Sequence, residues 1–156
     1  MYKRQLHTGT NHALSNGTTR LLIDADGNVT KPNQPAFMCR NSGNSSQFKQ
    51  ASNVYLNVGS HYNNVTGLFT APVAGNYYFF GGGQSNSSGA YYWGLYKNGA
   101  LFTSFYTSVV SGYTYGHASV AAIMPMAAND NCSFQRAGSI DMNTGGQNQF
   151  FGYLVS

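Results

Sequence analysis

The run Tyr77-Tyr78-Phe79-Phe80 constrains this chain more than any other stretch. It follows Leu68-Phe69-Thr70, Pro72 and Gly75, so the segment reads as strand, turn, strand. Pro72 cannot donate to a ladder and ends the first strand. Gly75 supplies the backbone freedom of a tight turn. Four successive aromatics are strongly β-prone. In an extended strand Tyr77 and Phe79 point one way, and Tyr78 and Phe80 the other. A half-solvated antiparallel strand alternates apolar with polar residues. This one is apolar on both faces. The last strand repeats the pattern, with Phe150 and Leu154 on one face and Phe151, Tyr153 and Val155 on the other. Two readings stay open. Such strands are central and buried within one subunit, or one face packs the subunit's own core and the other a neighbouring subunit. The oligomeric reading is favoured, with Tyr77, Tyr78, Phe79, Phe80, Phe150, Phe151, Tyr153 and Val155 as core and subunit interface.

The length of 156 residues suits one domain with a short appendage. Charged residues are only 8%, against roughly 25% in ordinary soluble domains. Glu is absent, and the polar surface must come from Asn, Ser, Thr and Gln. The chain has 12 Tyr, 10 Phe and 19 Gly, which is ample apolar material to fold and a β-rich profile. The net charge of +4 comes from 8 scattered Lys and Arg, with no stripe to track phosphates, so nucleic acid is not an expected partner. No apolar run is long enough to span a membrane as a helix, and no membrane insertion is expected. Cys39 and Cys132 leave a disulfide open, but two buried free thiols are favoured. No metal-ligand spacing appears, and no cofactor or metal is expected.

Residues 1–31 read as a β-hairpin or stalk segment, and residues 32–156 as the main domain. Asn16-Gly17 and Asp26-Gly27 are hairpin-turn dipeptides. Tyr2-Lys3-Arg4-Gln5 resembles translated adapter remnants at the edges of metagenomic assemblies, which implies a chain continuing upstream. Leu22 to Thr30 resembles a phrase that precedes the terminal domain of bacteriophage tail fibres. Pro32 and Pro35 enforce an extended linker. Beyond it, Ala36 to Arg40 reads as a strand, and Val54, Leu56 and Val58 alternate as inward residues of the next. Gly81 to Gly89 reads as a glycine- and serine-rich loop, and Pro125 to Asn131 as a turn. Asn98-Gly99 is the clearest hairpin turn of the chain. Cys132 and Phe134 face inward in a late strand. No sustained helical period occurs, and short strands with regular turn signals indicate an all-β sandwich or barrel.

Taken in order, these pieces resemble the globular head of complement C1q and its relatives in the tumour-necrosis-factor superfamily. The matching positions are Phe37, Gly67, Phe69, Pro72, Gly75, Tyr77, Tyr78, Phe79, Lys97, Asn98, Gly99, Phe150, Gly152, Tyr153 and Leu154. The resemblance spans about residues 35–156. It implies a ten-stranded jelly-roll sandwich that assembles as a compact homotrimer, with aromatics of the Tyr77–Phe80 and terminal strands crowded near the three-fold axis. Some heads of this kind carry calcium on acidic loops. With only Asp24, Asp26, Asp130 and Asp141, this chain offers no cluster of loop acids, and no calcium site is expected.

The function expected is that of a non-enzymatic receptor-binding tip of a phage tail fibre, part of a virion, binding a bacterial surface glycan or protein. Sugar faces stack on aromatic rings, and amides and hydroxyls pair with sugar hydroxyls. The loop residues Tyr62, Tyr106, Tyr113, Tyr115 and His117 are the candidate contacts. The alternative is a secreted C1q-like recognition or adhesion protein of a cell. No nucleophile elbow, paired carboxylates or metal motif supports an enzyme.

Overall fold

The computed structural model of the chain describes residues 21–23, 26–85, 88–112, 116–137, 142–144 and 147–156. It divides into two compact units, Met1–Gln34 and Pro35–Ser156. In the first unit β1 (Leu22–Ile23) pairs antiparallel with β2 (Val29–Thr30), as the intervening Asp26-Gly27 demands. The hairpin expected at Asn16-Gly17 lies outside the described residues.

The second unit is a sandwich of two five-stranded antiparallel sheets. Its strands are β3 (Ala36–Arg40), β4 (Asn53–Val58), β5 (Tyr62–Asn63), β6 (Leu68–Thr70) and β7 (Gly75–Gln84), followed by β8 (Gly89–Lys97) and β9 (Ala100–Val109). It closes with β10 (His117–Met126), β11 (Asn131–Arg136) and β12 (Gln149–Leu154). The first sheet has the order β10-β7-β12-β3-β4, and the second β5-β6-β11-β8-β9. The expected ten-stranded, all-β jelly-roll sandwich is the architecture observed. The two-faced strands β7 and β12 are neighbours at the middle of the first sheet.

The inner faces meet in a core of rings. Phe37 is its hub, 4.7 Å from Tyr62, 4.9 Å from Phe150 and 5.1 Å from Phe69 between ring centroids. Tyr77, Phe79 and Phe150 are fully buried here, so they are core. Aromatic cores bring the sheets close, and glycine makes room. A Cβ on Gly81 would stand 2.3 Å from the ring of Phe134, and one on Gly152 would stand 2.3 Å from that of Phe79.

This is why one sequence expectation fails. Gly81 to Gln84 is no loop but the end of β7, because Gly81 and Gly83 face the rings of Phe134 and Trp93 across the sandwich. Pro125 likewise belongs to β10 and not to a turn, since β10 is an edge strand and its missing N–H goes unneeded. The inward alternation of Val54, Leu56 and Val58 is also broken. A bulge lies between Met38 and Cys39 in the β3–β4 pairing. Val54 pairs with inward-facing Cys39, but Leu56 pairs with outward-facing Met38, and Val54, Tyr55 and Leu56 are all exposed on the edge strand.

Two turns lock each other at one end. Asn98 and Gly99 both take positive φ, the geometry of a tight hairpin turn. Asn98 Nδ2 donates to Asp130 Oδ1 at 2.7 Å, and the backbone N–H of Asn131 donates to Asn98 Oδ1 at 2.8 Å. Asp130 also accepts from the N–H of Ala127, and Lys97 Nζ lies 3.0 Å from Asp130 Oδ2. The bonds from Asn98 and Ala127, with Lys97 beside them, hold the Asp130 carboxyl down at about 2. Cys39 and Cys132 are buried free thiols, and burial pushes the Cys39 thiol up to about 12.

Gly81→Ala is expected to destabilise the domain by about 1–3 kcal/mol through overpacking against Phe134, measured by chemical denaturation. A depressed carboxyl stabilises the fold above its unfolded pKa and loses that contribution as pH falls through the folded one. Asp130→Asn should therefore melt below the wild type at neutral pH, and the gap should close between pH 3.8 and about 2 in an acid melting series.

Candidate functional site

Two surfaces stand out, and the strand register defines both. Directly paired residues of antiparallel strands point to the same face. The register therefore sorts the outer face of the first sheet into rows. One row is Leu56, Met38, Phe151, Phe80 and Ala121. The next is Val58, Ala36, Tyr153, Tyr78 and Ile123. Both are apolar from edge to edge. Phe80 stacks on Phe151 at 4.9 Å, and Tyr78 lies 5.4 Å from Tyr153. Among the described residues this face stays open: Ile123 is 59% exposed, Tyr153 44% and Val155 43%. The sequence-derived set thus splits in two. Tyr77, Phe79 and Phe150 make the core, while Tyr78, Phe80, Phe151, Tyr153 and Val155 make the outer face.

The third row is polar: Asn53, Arg40, Gln149, Gly82 and Ser119. It lies at the end of the sheet where β7 finishes and β10 begins. Beside it is a cleft of about 240 Å³. Phe80 and Phe105 give it aromatic lining, Gly82 and Gly83 give backbone, and His117, Ser119, Gln147 and Gln149 give polar groups. Gly82 keeps it open, because a Cβ there would project outward to within 2.9 Å of the Phe80 ring and 3.6 Å of Ser119 Cβ.

A chain of amides orients the cleft. Buried Asn148 accepts from the N–H of Gln84 and donates to the carbonyl of Asn143. Asn143 Nδ2 donates to Gln84 Oε1 at 3.1 Å, and Gln84 Nε2 lies 3.4 Å from His117 Nε2. With its oxygen taken by Asn143, Gln84 presents its NH₂ to the imidazole. His117 Nε2 then accepts, which leaves the ring proton on Nδ1. Arg40 donates to Gln147 Oε1 at 3.0 Å at the border of the cleft.

The other predicted contacts fare differently. Tyr62 is no loop contact. It is 3% exposed, stacked on Phe37, and its hydroxyl donates to the Phe48 carbonyl at 3.3 Å. Burial, with the neighbouring Cys39 adding to it, pushes its phenol up. The flanking Gly59 and Asn64 suggested a loop, but the two-residue strand β5 turns Tyr62 inward. Tyr106 is half exposed on β9, not in a loop, 4.8 Å from Tyr92. It pairs with outward-facing Tyr92, so it points away from the face that carries Trp93 and Phe105. Tyr113 and Tyr115 lie outside the described residues. His117 alone joins the cleft. Sequence reasoning missed Phe105, Gln84, Ser119, Gln147 and Gln149, which are ordinary residues until the register brings them together. Among the described residues no cluster of three metal-ligating side chains occurs, and no helix is long and apolar enough to cross a membrane.

A family model, the C1q domain, matches residues 35–155. The chain belongs to the C1q domain family. Among solved structures, it is similar to the globular domain of the zebrafish complement 1qA protein. That match has a TM-score of 0.63 and 21% identity, and covers 79% of this chain and 98% of that one. At this identity the likeness speaks for the fold. A comparison with curated proteins finds none that matches. Membership places the chain among non-enzymatic recognition domains, whose proteins typically form trimers and act outside cells.

Nitrogen-detected NMR is expected to show His117 with its proton on Nδ1 and a bare Nε2. A proton on Nε2 would mean that Gln84 faces the ring with its oxygen.

Proposed function

We propose that the chain is the trimeric receptor-binding tip of a phage tail fibre, recognising a bacterial surface glycan or protein without catalysis. One observation carries the reading: the head has an apolar side, and its termini lie far from its cleft. The outer face of the first sheet holds two complete apolar rows, more than a solitary subunit has reason to expose. Burying a side chain such as Tyr153, Ile123 or Leu56 contributes roughly 1.5–3 kcal/mol over leaving it in water. Three copies sharing this face would turn a liability into the assembly's main source of stability.

Polarity along the strands supplies the rest. Pro35 accepts from the N–H of Leu154, and Ser156 accepts from that of Asn76, so both ends of the domain meet beside Gly75. The cleft lies toward the other end of β7, at Gly82 and Gly83, roughly 23–26 Å along the strand from Gly75. Three copies of one weak site there gain avidity against a repetitive surface. The same head on a secreted recognition or adhesion protein of a cell is the alternative, and family membership alone favours it equally. The tail-fibre reading rests additionally on the Leu22–Thr30 phrase before the head.

Light scattering behind size-exclusion chromatography should give three times the 16.8 kDa of one chain. The double variant Tyr153→Asp, Ile123→Asp changes only exposed outer-face positions. It should run at the mass of one chain with an unchanged circular-dichroism spectrum. A monomeric wild type, or a trimeric variant, overturns the assembly proposal. Adsorption of the wild-type head to a panel of bacterial cells tests the receptor role, and binding to none of them would refute it.

A further inference from the structure

We infer that the His117 cleft is a subsite for one neutral pyranose unit, a reading that rests on the recognition role and names its ligand class. Four features of the cleft point there. Its volume of about 240 Å³ is below the roughly 300–1,000 Å³ of drug-sized sites, so it suits a single small ring. Two aromatic residues, Phe80 and Phe105, come from different sheets and offer apolar surface to the C–H face of a sugar. Around them stand an imidazole, a hydroxyl and two primary amides, which supply both donors and acceptors. Among the described residues no carboxylate and no Lys or Arg is part of the lining, and the Arg40 guanidinium at its border is turned to Gln147 Oε1. A polyhydroxylated uncharged ring satisfies all of these, whereas an anion would need a facing cation that this lining does not hold.

The groups are also held in place before a ligand arrives. Arg40 occupies the acceptor of Gln147 and so directs that amide's donors elsewhere. The Asn148–Asn143–Gln84 relay fixes the His117 ring and leaves its Nδ1–H as a donor. Preorganised donors spare a ligand part of the ordering cost that weakens most shallow sites. Gly82 is the specificity device. It sits in the polar row of the outer face, and a side chain there would push the Phe80 ring from its place and project into the cleft.

The test uses the intact protein and the methyl glycosides of glucose, galactose, mannose, N-acetylglucosamine and N-acetylneuraminic acid as probes. Saturation-transfer NMR should show ring protons of at least one of the four neutral glycosides saturated by the wild type. Gly82→Val should reduce that signal to background while keeping the wild-type circular-dichroism spectrum. Ser119→Leu, an exposed edge-strand substitution that fills the cleft from the other side, serves if Gly82→Val does not fold. Saturation of the acidic glycoside alone overturns the neutral assignment. Equal signals from wild type and a folded variant overturn the site. A trimeric protein that adsorbs to cells yet is silent toward every neutral glycoside sinks this subsite and leaves the recognition role standing.

Discussion

The structure depends on large rings meeting glycines inside the sandwich. From the facing sheet Phe134 lies over Gly81 and Trp93 over Gly83, and within the first sheet Phe79 lies against its cross-strand partner Gly152. Each contact is too close for any Cβ, so neither partner can change alone. The arrangement is expensive in local terms, because an interior strand glycine is less favourable than alanine by roughly 0.5–1 kcal/mol. The rings more than offset it. A buried Trp or Phe removes some 150–250 Å² from water, worth about 4–6 kcal/mol at 25 cal/mol per Å². The same comparison explains Trp93, whose buried Nε1 finds no hydrogen-bond partner. An unmade bond costs about 1–3 kcal/mol, less than the burial of the indole returns.

Because β7 sits at the centre of the first sheet, it writes on both faces at once. Its inward residues, Tyr77 and Phe79, are needed for the core. Its outward residues, Tyr78 and Phe80, are not. Nor are Phe151 and Tyr153 of β12, which match them in register. A sequence under no demand beyond folding would place Ser, Thr or Lys at those four positions. That it places rings there, in contacting cross-strand pairs, is what supports the proposed burial of this face against a neighbouring subunit. The charge economy fits: Lys97 is occupied with Asp130 at the turn end, and no charged side chain among the described residues stands in the two apolar rows.

Much of the fold was legible in the sequence because its signals are local. The Asn98-Gly99 turn, the break at Pro72 and the inward Cys132 and Phe134 each follow from one residue's chemistry. The family resemblance rested on such signals in order. What the sequence concealed was everything decided by a partner strand. Glycines at 81–83 look like a loop until a facing ring explains them. Pro125 looks like a terminator until its strand is seen to be an edge. Tyr62 looks solvent-exposed between Gly59 and Asn64 until Phe37 takes it up. The β4 alternation fails at a bulge that only the β3 pairing reveals. The cleft was hidden most completely, since its residues come from β7, β9, β10, β12 and the segment before β12, and only His117 looked chemical on its own.

The glycine run then does two jobs by the parity of a strand. Gly81 and Gly83 face inward and admit Phe134 and Trp93. Gly82, between them, faces outward, and the ring of Phe80 from the same strand lies within 2.9 Å of where its Cβ would stand. The facing sheet requires the first two, and the outer face of the same sheet requires the third. Each glycine of the run thus answers to a ring, two across the sandwich and one along the outer face, and the third stands where the apolar rows give way to the polar one.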